Sequence, residues 1–327
     1  MWLPRMVLFL SAAACLALWT CYLARPEAFV ALTMWPAWFW GVPGLAVTVL
    51  TLRVGGRRAG ALVLGLWLVF LGTCAEEPKA LLTLFRRWPT PEWKRAHAEG
   101  RAIRVACLNC AGGSEQAAAE VVPYRPDIVL LQELPGQSEL ERLLHRLFGD
   151  DGGVVSSWDT AVLCRGKAKE TRVPRDVRVY TVSARVMLRD GIEVRAISTH
   201  LYPPVVRLDL WNPECWRSAR QNHSTRTRQA QALAHHLKGI PEHIPIVLAG
   251  DFNAPAGDRI FRLFAPRLHD AFAESGVGWG NTVTNETPVS RFDQVWVSPH
   301  FRVAGAISKK TRYSDHRMVI CDLVLSR

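Results

Sequence analysis

The first 75 residues contain very little charge. They hold five arginines and one glutamate, with neither lysine nor aspartate. Long uncharged runs are rare on the surface of a water-soluble domain and are typical of membrane spans. No internal repeat and no low-complexity segment interrupts the rest of the chain. The lack of repeats excludes a repeat protein. The lack of charge in the first 75 residues divides the 327-residue chain into an apolar N-terminal part and a more polar remainder.

The eight cysteines lack the pattern of a disulfide framework. Three of them lie in the apolar part, and the other five are irregularly spaced. Cys107 and Cys110 have the spacing of half a zinc site, but they share the strand-like run IRVACLNC, and no second Cys/His pair completes such a site. Residues three apart on a strand point to opposite faces. We therefore expect buried structural thiols.

The uncharged residues form three runs, 6–23, 28–52 and 59–75. The first two are long enough to cross a hydrocarbon core, which needs about 20 apolar residues. The third has 17 residues and fits a short or tilted span, or a re-entrant helix. A cleaved signal peptide is an alternative for the first run, but two more runs follow it directly. The Trp-rich residues 35–40 contain Pro36, and Pro43 lies just beyond them, which favours a kinked second span. Residues 1–75 are thus predicted to be an all-α transmembrane region of about three spans.

The arginines predict the orientation. Arg53, Arg57 and Arg58 separate the second and third runs, and basic loops favour the cytoplasm. Three spans would then place everything after residue 75 outside the cytoplasm. A second basic cluster argues the other way; its members are Arg86, Arg87, Lys94 and Arg95. We expect a multi-pass protein of the cell membrane with an extracytoplasmic catalytic domain.

Beyond residue 75 the chain has 35 Lys and Arg against 28 Asp and Glu, a net charge of +7. This balance suits an anionic substrate or an anionic membrane surface, and it also aids solubility. Residues 76–100 are predicted to be a juxtamembrane linker with a short amphipathic helix, a proline-marked turn and a charged end that lies along the bilayer surface. Residues 101–327 are predicted to be the catalytic domain.

Short β-branched runs separated by Gly, Pro and Asp predict strands in this domain. The predicted strands are Ile103–Leu108, Asp127–Leu131, Thr160–Cys164, Ser183–Leu188, Val194–Ser198, Ile244–Ala249, Val295–Ser298 and Met318–Leu325. The predicted helices are Glu115–Val122, Ser138–Leu147 and Thr225–Leu237. Many short strands with few helices indicate sheet packed on sheet with helices outside, an α/β architecture.

Polar motifs stand at the ends of these strands. Those that directly follow an apolar run are Asn109 in CLNC, Glu133 in LLQEL, His200 in ISTHL, and Asp251 with Asn253 in LAGDFN. Those that directly precede one are Asp293 in RFDQVWV and Asp315-His316 in YSDHRMV. If the second group lies on strands antiparallel to the first, all six motifs meet at one edge of the sheets.

Three of these residues offer hard oxygen ligands. Glu133, with Asn109 and Asp315, suits Mg²⁺, and Mn²⁺ is the alternative ion. Alone, Glu133 would be an ordinary carboxylate at a helix N-terminus and Asp315 a turn residue. The presence of six such motifs at strand ends makes a purely structural role for Glu133 and Asp315 less favoured.

The other five residues suit phosphoester hydrolysis. His200 and His316 can donate hydrogen bonds to phosphate oxygens, and one of them can act as general acid. Asp293 can hold a histidine in the productive tautomer. Asp251 can orient or deprotonate water, while Asn253 donates to the phosphoryl group. As single motifs, GDFN would be a turn and His200 a structural histidine.

The order of these motifs resembles that of the endonuclease/exonuclease/phosphatase superfamily over about residues 101–327. The motifs are LNC, LQE, STHL, GDFN, RFDQVWVS and SDH. The resemblance implies a four-layer α/β sandwich of two packed mixed sheets flanked by helices, with the active site at one end of the sheets. It implies Asn109, Glu133 and Asp315 on the metal side. It implies catalytic positions at His200, Asp251, Asn253, Asp293 and His316.

Departures from the superfamily pattern narrow the expectation. Members that cut at abasic sites carry a carboxylate where this chain has Ala111, and WDTAVLC at residues 158–164 replaces their glycine-rich strand. The motifs LAGDFN and RFDQVW lack the tryptophan and the WCDR-type sequence of inositol phosphatases. DNA repair and inositol phosphatase activity are therefore less favoured than a generic phosphodiesterase.

The segment 207–228 mixes five arginines with Trp211 and Trp216. Such a segment can bind single-stranded nucleic acid or lipid headgroups, or it can be a solvated loop that leads into a helix. Arg228 is expected to reach the substrate.

We expect a membrane-anchored, metal-dependent phosphodiesterase or nuclease. A phospholipid-headgroup or small-molecule phosphodiesterase or phosphatase is the alternative, and a non-catalytic scaffold is disfavoured because every catalytic group is present. The expected partners are the phosphoester and the bilayer, with no obligate protein partner.

Overall fold

The computed structural model describes residues 2–52, 56–188 and 191–326. They form two compact units. The first, here called the anchor unit, comprises the chain up to Leu81 together with Pro204–His223 and Gly257–Arg259. The second, called the catalytic unit, comprises Leu82–Pro203, Ser224–Ala256 and the residues from Ile260 onward. The boundaries drawn from the sequence at residues 75 and 100 stay a prediction, since compactness divides the chain differently.

The apolar runs of the anchor unit fold into helices α1 (Trp2–Ala24), α2 (Val30–Thr33), α3 (Ala37–Thr51) and α4 (Arg57–Cys74). Helices α1 and α4 are each long and apolar enough to cross a membrane. The third run, borderline by length, thus forms an 18-residue helix. Residues Glu27–Thr33 and Ala37–Thr51 qualify only as a pair that is bent by 70°. Pro36 lies at this bend, where its ring keeps the preceding residue out of helical geometry.

Contacts within the anchor unit show how these helices run. Ser11 bonds to Thr48 of α3 at 3.1 Å and accepts from the Trp67 indole of α4 at 3.0 Å. Further along α1, the Tyr22 ring meets Phe70 edge-on at 5.6 Å. Helices α1 and α4 therefore run in the same direction, and α3 returns between them. Arg53, which contributed to the predicted orientation, lies outside the described residues.

One curled sheet forms the catalytic unit. Its eleven strands are β1 (Ala102–Asn109), β2 (Ile128–Gln132), β3 (Gly152–Ser156), β4 (Thr160–Thr171), β5 (Thr181–Leu188), β6 (Glu193–His200), β7 (Ile246–Asp251), β8 (His269–Asp270), β9 (Asp293–Val297), β10 (Phe301–Lys309) and β11 (Met318–Leu325). The strand order is β10-β11-β1-β2-β4-β5-β6-β7-β9-β8, with β3 beside β4.

Strand β4 belongs to both halves of the sheet. Its first residues pair with β2 and β3, and its residues from Gly166 onward pair with β5. The sheet thereby folds into two layers, whose inner faces bury Val105, Leu130, Val186 and Val247 against one another. The predicted sandwich of two packed mixed sheets is confirmed.

The helices that follow α4 are α5 (Glu77–Thr83), α6 (Pro91–Ala98), α7 (Glu115–Ala119), α8 (Gln137–Phe148), α9 (Pro213–Lys238) and α10 (Ala271–Ser275). Two of them, α8 and the second half of α9, cover the outer faces of the two layers. Leu140 of α8 packs on one layer, with Leu131 and Leu163. Leu233 and Leu237 of α9 pack on the other, with Ile197 and Leu248.

The predicted linker is partly built into the catalytic unit. Trp93 of α6 is buried, and its indole donates to the carbonyl of Ile103 at 3.3 Å. The guanidinium of Arg104 lies over the rings of Trp93 and Trp88, at 4.2 and 4.7 Å, and donates to both carboxylate oxygens of Asp322. These contacts fix residues 88–98 against β1 and β11.

Candidate active site

Strand directions bring the polar motifs to one edge of the sheet. Strands β1 and β2 are parallel, as are β6 and β7, while β9 is antiparallel to β7 and β11 is antiparallel to β1. The motifs that follow strands and those that precede them therefore meet, as the sequence predicts. His200, Asp251 and Asp293 are direct neighbours across β6, β7 and β9.

The carboxylate of Asp251 lies at the centre of this edge. Its Oδ2 atom is 3.6 Å from His200 Nε2, 3.9 Å from His316 Nε2 and 3.4 Å from the Asn109 amide nitrogen. Its Oδ1 atom accepts the backbone N–H of Asn253 at 2.9 Å. The side chain is almost fully buried. Burial, followed by the charge of Asp293, raises the pKa of Asp251, although both histidines oppose this.

Two histidine–carboxylate pairs flank Asp251. His316 Nδ1 lies 2.8 Å from Asp293 Oδ2, so the hydrogen bond expected from the sequence is confirmed. His200 Nδ1 lies 2.8 Å from Asp159 Oδ2. Each carboxylate holds its ring so that Nε2 points toward Asp251. The Asp251 carboxylate therefore lies between His200 at the end of β6 and His316 just before β11.

Asp159 is not among the site residues that the sequence predicts. It directly precedes β4, and Asp293 is the first residue of β9, so a position at the start of a strand is a signal that both aspartates share. From the sequence, the motif WDTAVLC is interpreted only as the replacement of a glycine-rich strand, with no role for its aspartate. The chain places a buried carboxylate there as the partner of His200.

Both histidines are biased toward the protonated form. Burial lowers the pKa of His316, but Asp293 outweighs it, with help from Asp251, and raises that pKa to about 10. Burial also opposes protonation of His200, but the hydrogen bond that its ring donates to Asp159 and the charge of Asp251 raise its pKa overall. Two imidazolium groups beside one edge suit the binding of a phosphate anion.

Glu133 and Asn109 form the other side of the edge. The Asn109 amide donates to Glu133 Oε1 at 2.9 Å, and the Gly112 N–H donates to Oε2. Burial would raise the pKa of Glu133, but these hydrogen bonds, with the nearby histidines, lower it overall. Glu133 also has a left-handed backbone with φ of 51°, and Asn253 has the same value. Non-glycine residues rarely adopt this region, and such strain is common at functional sites.

The remaining candidates are placed as follows. Asn253 donates one amide hydrogen to the carbonyl of Leu201 at 2.8 Å, which leaves the second for a ligand. Asp315 is exposed, beside His316. Arg228 is exposed on α9 and donates to Thr225 on its own helix at 3.2 Å, so its proposed contact with a substrate stays a prediction. The geometry thus joins Asn109, Glu133, His200, Asp251, Asn253, Asp293 and His316.

Two groups of donors fit a divalent cation. Asp251, Asp293 and His316 offer one ligand atom each, all within 4.8 Å of one another. The Oδ1 atom of Asp293 is buried without a hydrogen-bond partner among the described residues. The second group is the ionised Glu133 with Asn109, whose oxygen donors match the preference of Mg²⁺. The residues therefore fit a metal ion, and the identity of that ion is open.

The cysteines take no part in the site. Cys107 and Cys110 are buried free thiols in different core clusters, as the sequence predicts.

Comparison with known proteins agrees with this geometry. The family model described as "Endonuclease/Exonuclease/phosphatase family" matches residues 106–316. A protein of that family from Bacteroides thetaiotaomicron has a similar fold, with a TM-score of 0.54 and 16% identity over 69% of this chain and 98% of the other. No curated protein sequence matches the chain.

Two further solved structures are similar at the level of fold. The mannosyl-6-phosphatase Bt3783 of B. thetaiotaomicron has a TM-score of 0.53 and 17% identity, over 68% of this chain and 100% of the other. Humanized D. rerio TDP2 has a TM-score of 0.50 and 17% identity, over 68% and 99%. At such identities the likeness shows the fold alone.

Proposed function

The chain belongs to the endonuclease/exonuclease/phosphatase family, and from this membership we propose that it is a membrane-anchored phosphoester hydrolase that depends on a divalent metal ion. The observation that carries the proposal is the buried Asp251 carboxylate between two histidine–carboxylate pairs at 2.8 Å each. Such a constellation has an acid, a base and anion-binding groups within reach of one phosphorus atom.

We assign Asp251 to orient the attacking water and accept its proton. Its raised pKa makes it a stronger base than an exposed aspartate. As water adds to phosphorus, the P–O bond to the leaving group breaks. The protonated His316 and His200 donate to the phosphoryl oxygens, and one of them supplies a proton to the leaving oxygen. Asn253 donates its free amide hydrogen to the phosphoryl group.

We assign the metal to Glu133 and Asn109, with the exposed Asp315 on the same side. The alternative group around His316 is less suited, because its raised pKa of about 10 favours the protonated ring, which cannot ligate a metal ion. When bound, Mg²⁺ or Mn²⁺ would neutralise charge on the phosphoryl group and stabilise the leaving oxygen. Asp159 and Asp293 act as positioning residues that set the tautomer and orientation of their histidines.

Two substrate classes remain candidates. A phosphodiesterase or nuclease is favoured by the departures from inositol phosphatase motifs. A phosphatase or phospholipid-headgroup hydrolase is the second, and one structure of similar fold is that of a mannosyl-6-phosphatase. Arg228 is the proposed substrate contact in either case.

The test is a substrate panel with the full-length protein in nanodiscs. It comprises bis-p-nitrophenyl phosphate, p-nitrophenyl phosphate, DNA, RNA and phospholipids, each with Mg²⁺, Mn²⁺ or EDTA. We expect hydrolysis of the diester that EDTA abolishes and that added Mg²⁺ restores. Absence of hydrolysis of every ester with both metals would refute the proposal.

A further inference from the structure

The connection between α1 and α3 has the character of a bilayer interface. Trp35, Trp38 and Trp40 cluster around Phe39, and tryptophan is enriched where spans leave the hydrocarbon core. The Arg25 side chain folds back to donate to the carbonyls of Tyr22 and Thr33. If α1 and α4 span a membrane, this end of the bundle lies at headgroup level.

A segment from the middle of the chain packs on that connection within the anchor unit. We call residues 204–216 the interface segment. The Trp35 indole donates to the carbonyl of Arg207 at 3.3 Å, and the ring of Trp216 meets Phe29 edge-on at 6.2 Å. These contacts fix the interface segment at the same depth as the tryptophan cluster.

The same segment exposes large apolar side chains. Trp211 is 84% exposed and Leu208 is 58% exposed, and Phe29 beside the segment is 43% exposed. An indole and a leucine facing water cost free energy that burial in the headgroup region would recover. A bilayer explains this exposure.

Single-stranded nucleic acid fits the segment less well. Its Arg207 pairs with Asp209, and Arg217 just beyond it pairs with Glu214, so these cations are already neutralised. Trp216 is held against Phe29 and donates to the carbonyl of Leu210, so its ring is not free to stack on a base. The segment therefore lacks the cationic groove with free aromatic faces that such a ligand needs.

Few residues of the chain separate the candidate site from the interface segment. Pro204 follows His200 by four residues, which span at most about 14 Å when fully extended. Gly257 follows Asn253 by the same number of residues, and a Cβ atom at Gly257 would lie 2.6 Å from Arg25 Nη2. The chain thus passes from candidate-site residues into the anchor unit within four residues at two places.

We propose that Trp211 and Leu208 insert into the headgroup region and that the substrate is a phosphoester carried by a lipid of the same bilayer. This inference rests on the proposed hydrolase function and names its substrate class. Water adds to the phosphorus of the lipid headgroup, the P–O bond on the headgroup side breaks, and the headgroup leaves as an alcohol while the phosphorylated lipid stays in the membrane.

The test compares two substrates that release the same leaving group. The full-length protein in phosphatidylcholine nanodiscs receives either soluble bis-p-nitrophenyl phosphate or nanodisc-embedded phosphatidyl-p-nitrophenol, with Mg²⁺. The double variant Leu208→Ser, Trp211→Ser is expected to lower the lipid rate by about tenfold, equivalent to about 1.4 kcal/mol. Its rate on the soluble ester should stay within about twofold of wild type, which also reports correct folding.

Two further variants serve as controls. Trp211→Phe keeps a large apolar ring and should retain the lipid rate. Trp279→Ala removes a partly exposed indole from the catalytic unit and should change neither rate. A lipid rate that is insensitive to the double variant, or a wild-type enzyme that cleaves only the soluble ester, would overturn the lipid proposal. So would a double variant that loses cleavage of single-stranded DNA instead.

Membrane contact is also measured without catalysis. Lipids brominated near the headgroup should quench wild-type fluorescence more than that of Trp211→Phe, and the difference reports Trp211 alone. Equal quenching would overturn insertion. If wild type cleaves no ester but the difference in quenching persists, the hydrolase assignment fails while the membrane contact stands.

Discussion

Asp251 and Glu133 differ in what their charge does at the candidate site. Asp251 is buried between two protonatable imidazoles, whereas Glu133 is half-buried and held in its ionised form by donated hydrogen bonds. Each can be replaced by its amide with little change in volume. The substitution then tests the charge rather than the packing.

Glu133→Gln and Asp251→Asn are each expected to lower Mg²⁺-dependent hydrolysis by about 10²- to 10⁴-fold, the usual contribution of a well-placed catalytic group. Circular dichroism should show an unchanged fold. Asp150→Asn, which alters a fully exposed carboxylate, is the matched control and should leave the rate unchanged. Activity of either site variant within about threefold of wild type would contradict its assigned role.

Asp159 should act only through His200, because its carboxylate bonds to the ring nitrogen that faces away from Asp251. Asp159→Asn is therefore expected to slow hydrolysis about 10²-fold, and the same change in a His200→Gln background should add little. The double-mutant cycle on kcat and KM measures this coupling. Fully additive losses would show that Asp159 does not work through His200.

At the scale of single elements, the end of β7 depends on a glycine. Gly250 has φ of 156°, and a Cβ atom there would lie 1.7 Å from the carbonyl oxygen of Thr199 on β6. Because backbone would have to move, Gly250→Ala should cost at least about 2 kcal/mol, lowering the melting temperature by roughly 4–8 °C. Gly239→Ala, where the nearest atom is 3.4 Å away, is the control. Equal melting temperatures for wild type and Gly250→Ala would rule out the clash.

Helix α9 carries a titrating group at its far end. Burial, followed by the charge of Arg195, lowers the pKa of His236 to about 4. The unfolded chain, with an ordinary pKa near 6.5, binds more protons in this window, so stability falls as pH drops from about 6.5 to about 4.

His236→Gln should therefore lose less stability than wild type over that range. Thermal unfolding at several pH values checks this, and the exposed neighbour His235→Gln is the control. Parallel pH profiles for wild type and His236→Gln would contradict the buried neutral imidazole.

The strands that the sequence predicts share large β-branched side chains, and all eight of them are present. The three missed strands lack this signal. β3 begins with two glycines, β8 has two residues, and β10 contains Gly305 at a register shift. Glycine weakens a strand pattern even where neighbouring strands hold it in place.

Helix α9 begins twelve residues earlier than predicted, at Pro213. The buried stripe of this first half is made of Cys215, Ala219, His223 and Arg226 rather than large apolar residues. Small and polar residues give no hydrophobic periodicity, so this half of the helix could not be predicted from that pattern. The meeting of the polar motifs at one edge of the sheet could be predicted from the sequence, since these motifs stand at strand ends. The pairing of Asp159 with His200 could not be predicted, because the two residues are 41 positions apart in sequence and only the fold brings them together.

At the scale of the whole molecule, the direction of the helices in the anchor unit determines which ends face the same side. Helices α1 and α4 are parallel and α3 returns, so Arg5, Arg57 and Arg58 belong to one end of the bundle. The α1–α3 connection and the end of α4 belong to the other. Arginines near span ends favour the cytoplasm, so we propose that the C-terminal end of α4, after which the catalytic unit follows in sequence, faces away from it.

The five cysteines beyond residue 100, from Cys107 to Cys321, are all buried, which makes an added surface cysteine a specific probe of this orientation. Glu141→Cys on exposed α8 should react with a membrane-impermeant maleimide in intact cells, whereas Ala59→Cys at the start of α4 should react only after permeabilisation. The parent protein corrects for its native thiols. The reverse pattern would place the catalytic unit in the cytoplasm, where the lipid phosphoester would have to be in the inner leaflet and the Arg86 and Arg87 cluster would outweigh Arg57 and Arg58.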